Sequence, residues 1–302
     1  MEHKKVFSHA GLSLFMMVIV VNAVQVLAMG GTALFAPALL EKPWFGLALI
    51  FVSLHVVGLA VFYLMMRKPA VSLPKKEKMR MSVTDFIVIF LICMAATYLF
   101  NMVSTLINYL IGLIKHAPVV NPLEAVLGGN LVFQILVTSV SAPIVEEIIF
   151  RKLLLDHLRP YGDKTAIWVT ALAFALFHGN LSQALYALVL GMIFAYIVIR
   201  TNDIRYPIAL HVLVNLFGTA IMPLMTTRGD MLTMLAGLLV IAFLISGIIL
   251  FILNIKRIVI EEGEIALDKS VRFKTIYLNA GMILYIISCV AMFVITIITP
   301  AV

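Results

Sequence analysis

The chain has 302 residues, 63% of them hydrophobic and 12% charged, with a net charge of +7 and a mean hydropathy of +1.11. A soluble domain carries roughly twice that charged fraction, so a soluble globular enzyme is excluded. An all-α, polytopic membrane helical bundle of about eight to nine transmembrane helices is predicted.

In chain order, apolar runs predict nine spans: 10–30, 45–66, 84–114, 131–150, 165–179, 183–199, 206–225, 232–254 and 275–298. The first follows Lys4 and Lys5 and lacks a small-residue cleavage site, so it reads as a retained helix rather than a signal peptide. The third is long enough to tilt or to extend beyond the bilayer, and the fifth is short for a full crossing. Pro69, Pro74, Pro122, Pro160 and Pro207 fall in or beside connections, where helix breakers belong. Cys93 and Cys289 lie far apart inside apolar runs and read as core thiols rather than a disulfide or a metal site. No internal repeat or soluble domain is visible, so residues 1–302 read as one integral membrane domain, with 256–274 the one sizeable polar connection near the C-terminus.

Charge sets the expected orientation. With the N-terminus in the cytoplasm, all but Lys42, Lys115 and Arg228 of the 22 lysines and arginines fall on the inner side, including the basic stretch 67–80, as the positive-inside rule requires. The positive net charge then reflects topology and attraction to anionic lipid, and no nucleic-acid partner is called for.

Ionisable groups inside a bilayer cost several kcal/mol each and mark function by default. Within the spans these are His55, Glu146, Glu147, His178 and His211. Glu147 and Arg151 are four apart on one helix face and can pair, while Glu146 is turned about 100° away and is free for another task. Two adjacent, partly desolvated carboxylates resist simultaneous ionisation, the condition for one of them to act as general base near neutral pH. The plainer alternative is a cytoplasmic helix end with both glutamates paired to Arg151, Lys152 or water. His178 closes the run Phe174-Ala-Leu-Phe-His178, where a lone histidine is more often a satisfied core residue. His211 and Asn215 stack on one face and can donate to one point, as an oxyanion requires. The alternative there is an interhelical polar contact. His55 has no polar companion at helical spacing and reads as structural.

Glu146-Glu147-xxx-Arg151, Phe174-xxx-His178 and His211-xxx-Asn215 together resemble the signature EExxxR, FxxxH, HxxxN of the CPBP intramembrane proteases. That family includes the type II CAAX prenyl endopeptidases and the bacterial Abi bacteriocin-processing or self-immunity proteins. All three motifs match without substitution, and the resemblance covers residues 130–220 as a catalytic core. It implies peptide-bond hydrolysis in a membrane cavity open to the cytoplasm, on a peptide or lipidated-protein substrate. Carried over, Glu146 with His178 activates water, and His211 and Asn215 stabilise the tetrahedral oxyanion. Glu147 with Arg151 braces the helix, and Phe174 packs beside His178.

Glu146, His178 and His211 also suggest a zinc set. HExxH is absent, and a neutral amide such as Asn215 is a poor zinc ligand but a good oxyanion donor. A metal-free, glutamate-activated water is therefore preferred, with no cofactor. Depth raises a difficulty. Glu146 lies about 7 Å from a cytoplasmic edge placed at Arg151, whereas His178 lies about 20 Å down a helix starting at Thr165. They meet if span five tilts, or if its first turns stand outside the bilayer with Trp168 as interfacial anchor; the second is preferred. Two rival functions are a non-catalytic immunity or scaffold protein that binds a peptide, and a proton-coupled transporter. The second lacks a symmetric pair of broken helices.

Overall fold

The computed structural model describes residues 2–68, 77–119, 121–122 and 130–299. Among them no strand occurs, and nine principal helices run as α1 (Glu2–Phe35), α2 (Pro43–Met66), α3 (Val83–Lys115), α4 (Leu131–Tyr161), α5 (Asp163–Phe177), α6 (Leu181–Thr201), α7 (Arg205–Thr226), α8 (Asp230–Arg257) and α9 (Ala280–Ile298). All except α5 are long and apolar enough to cross a membrane. Helix α5 has 15 residues and reaches only about 22 Å, short of the roughly 30 Å hydrocarbon core. It stops because Gly179 takes φ 61°, a left-handed conformation that suits glycine. The Asn180 side chain then caps α6 by accepting from the Gln183 N–H at 3.0 Å. Pro69, Pro74 and part of the basic stretch 67–80 lie outside the described residues.

One predicted boundary is corrected. The fourth span does not end at Arg151; α4 continues to Tyr161. Hydropathy takes an arginine as a helix end, but here Arg151 is wholly buried beside Glu147, and the leucines that follow, Leu153, Leu154, Leu155 and Leu158, are all buried. The depth difficulty disappears with this change. Helices α4 and α5 form a hairpin about Gly162, from which Glu146 and His178 are each 16 residues distant. Phe150 and Phe174, each 12 residues from the same turn, meet at 5.2 Å between ring centroids. The two candidate residues are therefore level without any special tilt, and Trp168 is simply a half-exposed side chain of α5.

The bundle has two distinguishable ends. At one, His157 Nε2 lies 3.1 Å from the Lys68 carbonyl, and the Met79 N–H donates to Thr201. There Arg159 also bonds Asn202 at 3.0 Å, and Arg200 pairs with both Asp163 and Glu261. The polar connection 256–274 is tied to this end by the Ile265 N–H to the Pro160 carbonyl, 2.9 Å. At the other end Lys115 Nζ donates to the carbonyls of Ile297 and Thr299 at the close of α9.

The half of the bundle nearer the first end is solidly packed, with Phe7, Leu14, Phe62, Leu154, Leu158 and Ala166 in one apolar cluster. There α1 and α9 cross closely: a Cβ on Gly281 would lie 1.8 Å from the Ser8 carbonyl oxygen, the small-residue packing expected where lipid supplies no hydrophobic drive between helices. Cys93 and Cys289 are buried free thiols, as read from sequence.

Candidate functional site

Helix α4 presents the two glutamates from a six-residue α-helical stretch, Ala142–Glu147, set between two runs of wider i→i+5 bonding, Ile135–Ser141 and Ile148–Leu154. Such π segments cluster at functional sites. Pro143 explains where the first one stops. In that register the Ala142 N–H bonds the Val137 carbonyl, so the Thr138 carbonyl would next meet the nitrogen of Pro143, which carries no hydrogen. Asn215 of α7 fills the vacancy, its Nδ2 donating to Thr138 O at 3.0 Å.

The second half of the site is a buried ion pair. Glu147 Oε2 lies 3.2 Å from Arg151 Nε, and both side chains are 0% exposed. The guanidinium nitrogens lie at ion-pair distance but make no well-directed hydrogen bond among the described residues. The cation instead faces aromatic rings: Cζ is 4.6 Å from the Phe174 centroid and 5.9 Å from those of Phe150 and Phe194. Quadrupole attraction in this dry setting offsets part of the desolvation cost.

His211 joins the two glutamates. Its Nδ1 lies 3.0 Å from Glu147 Oε1 and its Nε2 3.7 Å from Glu146 Oε2. His211 is thus held by Glu147 as well as sharing a helix with Asn215. Glu147 orients its ring, in the way a buried carboxylate holds the imidazole of a catalytic triad. Asn215 is likewise partly committed, keeping one amide N–H and its oxygen beyond the Thr138 bond. His178 Nδ1–H donates to the Phe174 carbonyl at 2.8 Å, which fixes the tautomer and leaves Nε2 as the nitrogen without a hydrogen-bond partner among the described residues. Phe174 meets His178 edge-on at 4.8 Å and His211 at 5.9 Å, so one buried ring spaces both imidazoles and covers Arg151.

Glu146, His178, His211 and Asn215 all line one cavity of about 380 Å³; Glu147 and Arg151 do not. The side chain of Glu146 is 12% exposed and that of Glu147 0%, so the carboxylates divide into a cavity group and a sealed one. No direct bond joins Glu146 to His178 among the described residues; the cavity lies between them. Among the described residues no three His, Cys, Asp or Glu side chains are grouped to hold a metal ion.

His55 was read as structural, but it lines the cavity and shares a 2.8 Å hydrogen bond with Ser141 through Nδ1. Phe194 of α6 lies against the His211 ring at 5.3 Å and was not singled out, because nothing in its local sequence marks it. Thr219 binds Ser139 at 2.8 Å and closes a polar seam between α4 and α7. Its i+4 spacing from Asn215 was the available signal.

The Thr138–Asn215 bond carries a prediction. Asn215→Ala strands a carbonyl and should cost about 1–3 kcal/mol of stability. Pro143→Ala restores an N–H opposite that carbonyl, so Asn215→Ala should cost less in the Pro143→Ala background. Thermal unfolding of the four proteins of this double-mutant cycle checks it, and strict additivity would sink the argument.

Residues 128–217 match the family described as Type II CAAX prenyl endopeptidase Rce1-like. Over 87 residues the chain is 34% identical to the Bacillus subtilis (strain 168) protein described as "Putative membrane peptidase YdiL", covering 28% of this chain and 34% of the relative. The chain thus spans about a third of the length of the curated relative it matches. No solved structure matches. The matched segment contains the whole of the cavity constellation from Glu146 to Asn215, and over that segment the chain is similar to the Rce1-like membrane proteases.

Proposed function

We propose that the protein is an intramembrane endopeptidase acting on membrane-associated or lipidated peptides. The observation that carries this reading is the meeting of Glu146, His178, His211 and Asn215, from three helices, around one cavity that excludes Glu147 and Arg151.

In the proposed reaction a water held between Glu146 and His178 Nε2 attacks the scissile carbonyl carbon. Its proton passes to Glu146 as the C–O bond forms, and the carbonyl oxygen becomes an oxyanion. The remaining N–H of Asn215 and protonated His211 Nε2 stabilise that charge, with Glu147 supporting the imidazolium through Nδ1. Glu146 then returns the proton to the leaving amine as the C–N bond breaks. Phe174 and the Glu147–Arg151 pair position these groups without touching substrate.

No step uses a metal. Activity should therefore survive a strong chelator; loss on chelation with recovery only on adding zinc would replace this mechanism with a zinc-dependent one. The function itself is tested by comparing peptides from membranes carrying the wild type and Glu146→Ala at equal abundance. Fragments present only with the wild type are expected. Their absence would favour a peptide-binding scaffold or immunity protein instead.

A further inference from the structure

The cavity is not centred in the bundle. Glu146, His211 and Phe174 line it on the side that adjoins the Glu147–Arg151 pair. Beyond that side, towards the end of the bundle that gathers the basic connections, lie the sealed Glu147–Arg151 pair and the packed cluster of Phe7, Phe62, Leu154 and Leu158. None of Phe7, Phe62, Leu154, Leu158, Glu147 and Arg151 lines the cavity. The remaining lining points the other way. Pro122 belongs to the α3–α4 connection, Asn180 and Gln183 to the α5–α6 turn, and Asn22 and Gln25 to the half of α1 far from its N-terminus. The α5–α6 turn lies near the end of α9, where Thr296 Oγ1 reaches the Gly179 carbonyl at 3.3 Å, and that end is the one held by Lys115.

Two facts then oppose a cytoplasmic mouth. Among the described residues, all lysines and arginines except Lys42, Lys115 and Arg228 lie in α4 or at the packed end, so the positive-inside rule puts the packed end in the cytoplasm. The cavity lies towards the other end. We infer that the cavity is open to the extracytoplasmic side and takes peptide segments that have already crossed the membrane, such as exported chains or proteins lipid-anchored in the outer leaflet.

The chemistry of the mouth suits such a segment. Asn22, Gln25 and Gln183 are neutral amides, each engaged within the protein through one polar atom and able to pair through the other with the N–H and C=O groups of an extended peptide entering a site with little water. A cytoplasmic lipidated tail would have to pass the Arg151 layer to reach Glu146. What is cut rests on the protease reading; the side of access does not.

Cysteine accessibility tests it on the full-length protein. Asn22→Cys and Gln183→Cys place thiols in the cavity mouth, Lys42→Cys reports the far end, and Lys269→Cys reports the basic end. A membrane-impermeant maleimide is applied to intact bacterial cells and to inside-out vesicles, with the wild type, whose two cysteines are buried, as the blank. Labelling several-fold above the blank is expected in intact cells for Asn22→Cys, Gln183→Cys and Lys42→Cys, and only in inside-out vesicles for Lys269→Cys. Mouth thiols that label with Lys269→Cys, or from neither side while Lys42→Cys labels, overturn the inference, as does Lys269→Cys labelling in intact cells. Labelling requires no cleavage, so a chain that labels as expected yet releases no fragments loses the protease reading and keeps this one.

Discussion

Glu146→Gln is expected to lower peptide cleavage by about 10²–10⁴-fold while leaving the unfolding temperature close to that of the wild type. Glutamine keeps the shape of the side chain and its contact with His211 but can no longer take the proton of the attacking water. Its neighbour should behave differently. Glu147 is sealed from the cavity, pairs with Arg151 and holds His211 Nδ1, so Glu147→Gln should lower both activity and stability. Initial rates on a peptide found in the membrane comparison, measured beside thermal unfolding in detergent micelles, separate the two. Full activity in Glu146→Gln would remove the general base from the proposed reaction.

The second large effect is on stability. Arg151→Leu leaves the Glu147 carboxylate buried with only His211 as partner, and breaking a buried pair in this way costs about 3–5 kcal/mol. Replacing both residues, Glu147→Leu with Arg151→Leu, should recover much of that loss, because no uncompensated charge remains. Activity should stay low in the double variant, since His211 has then lost the carboxylate that orients its ring. Arg151→Lys should rescue poorly: the guanidinium carbon lies over the Phe174 ring at 4.6 Å, and a compact, strongly hydrated ammonium is a poorer partner for a ring in a dry site than a guanidinium. Unfolding curves for the three variants decide this; a double variant no more stable than Arg151→Leu would show that packing, not charge, sets the cost.

Much of this was legible before any coordinates. The i, i+4 spacing of Glu147 and Arg151 announced their pair, a property of one helix, while the contact of Phe174 with His178 was implied by the family resemblance. Helix ends were less legible where burial alters the meaning of a charge. Arg151 reads as a membrane boundary in a hydropathy window, yet it is enclosed by three phenylalanines, two of them on other helices. The misplaced boundary produced the apparent mismatch in depth between Glu146 and His178.

The partnerships across helices were not legible at all. Nothing near His211 says that Glu147 holds its Nδ1, and nothing near Asn215 says that a proline on α4 leaves a carbonyl for it to cap. His55 and Phe194 entered the site for the same reason, through contacts with residues distant in sequence.

By itself, then, the amino-acid sequence determined the solvent in which the chain folds, the number of its helices to within one, the asymmetry of its charge and the residues able to do chemistry. These follow from composition and from the periodicity of a single helix. Only the tertiary structure decided which carboxylate faces the cavity, which group each imidazole nitrogen addresses and towards which end the cavity lies. Those depend on how helices dock, and in a membrane docking is set by small-residue contacts and buried polar pairing rather than by hydropathy, which treats every apolar face alike.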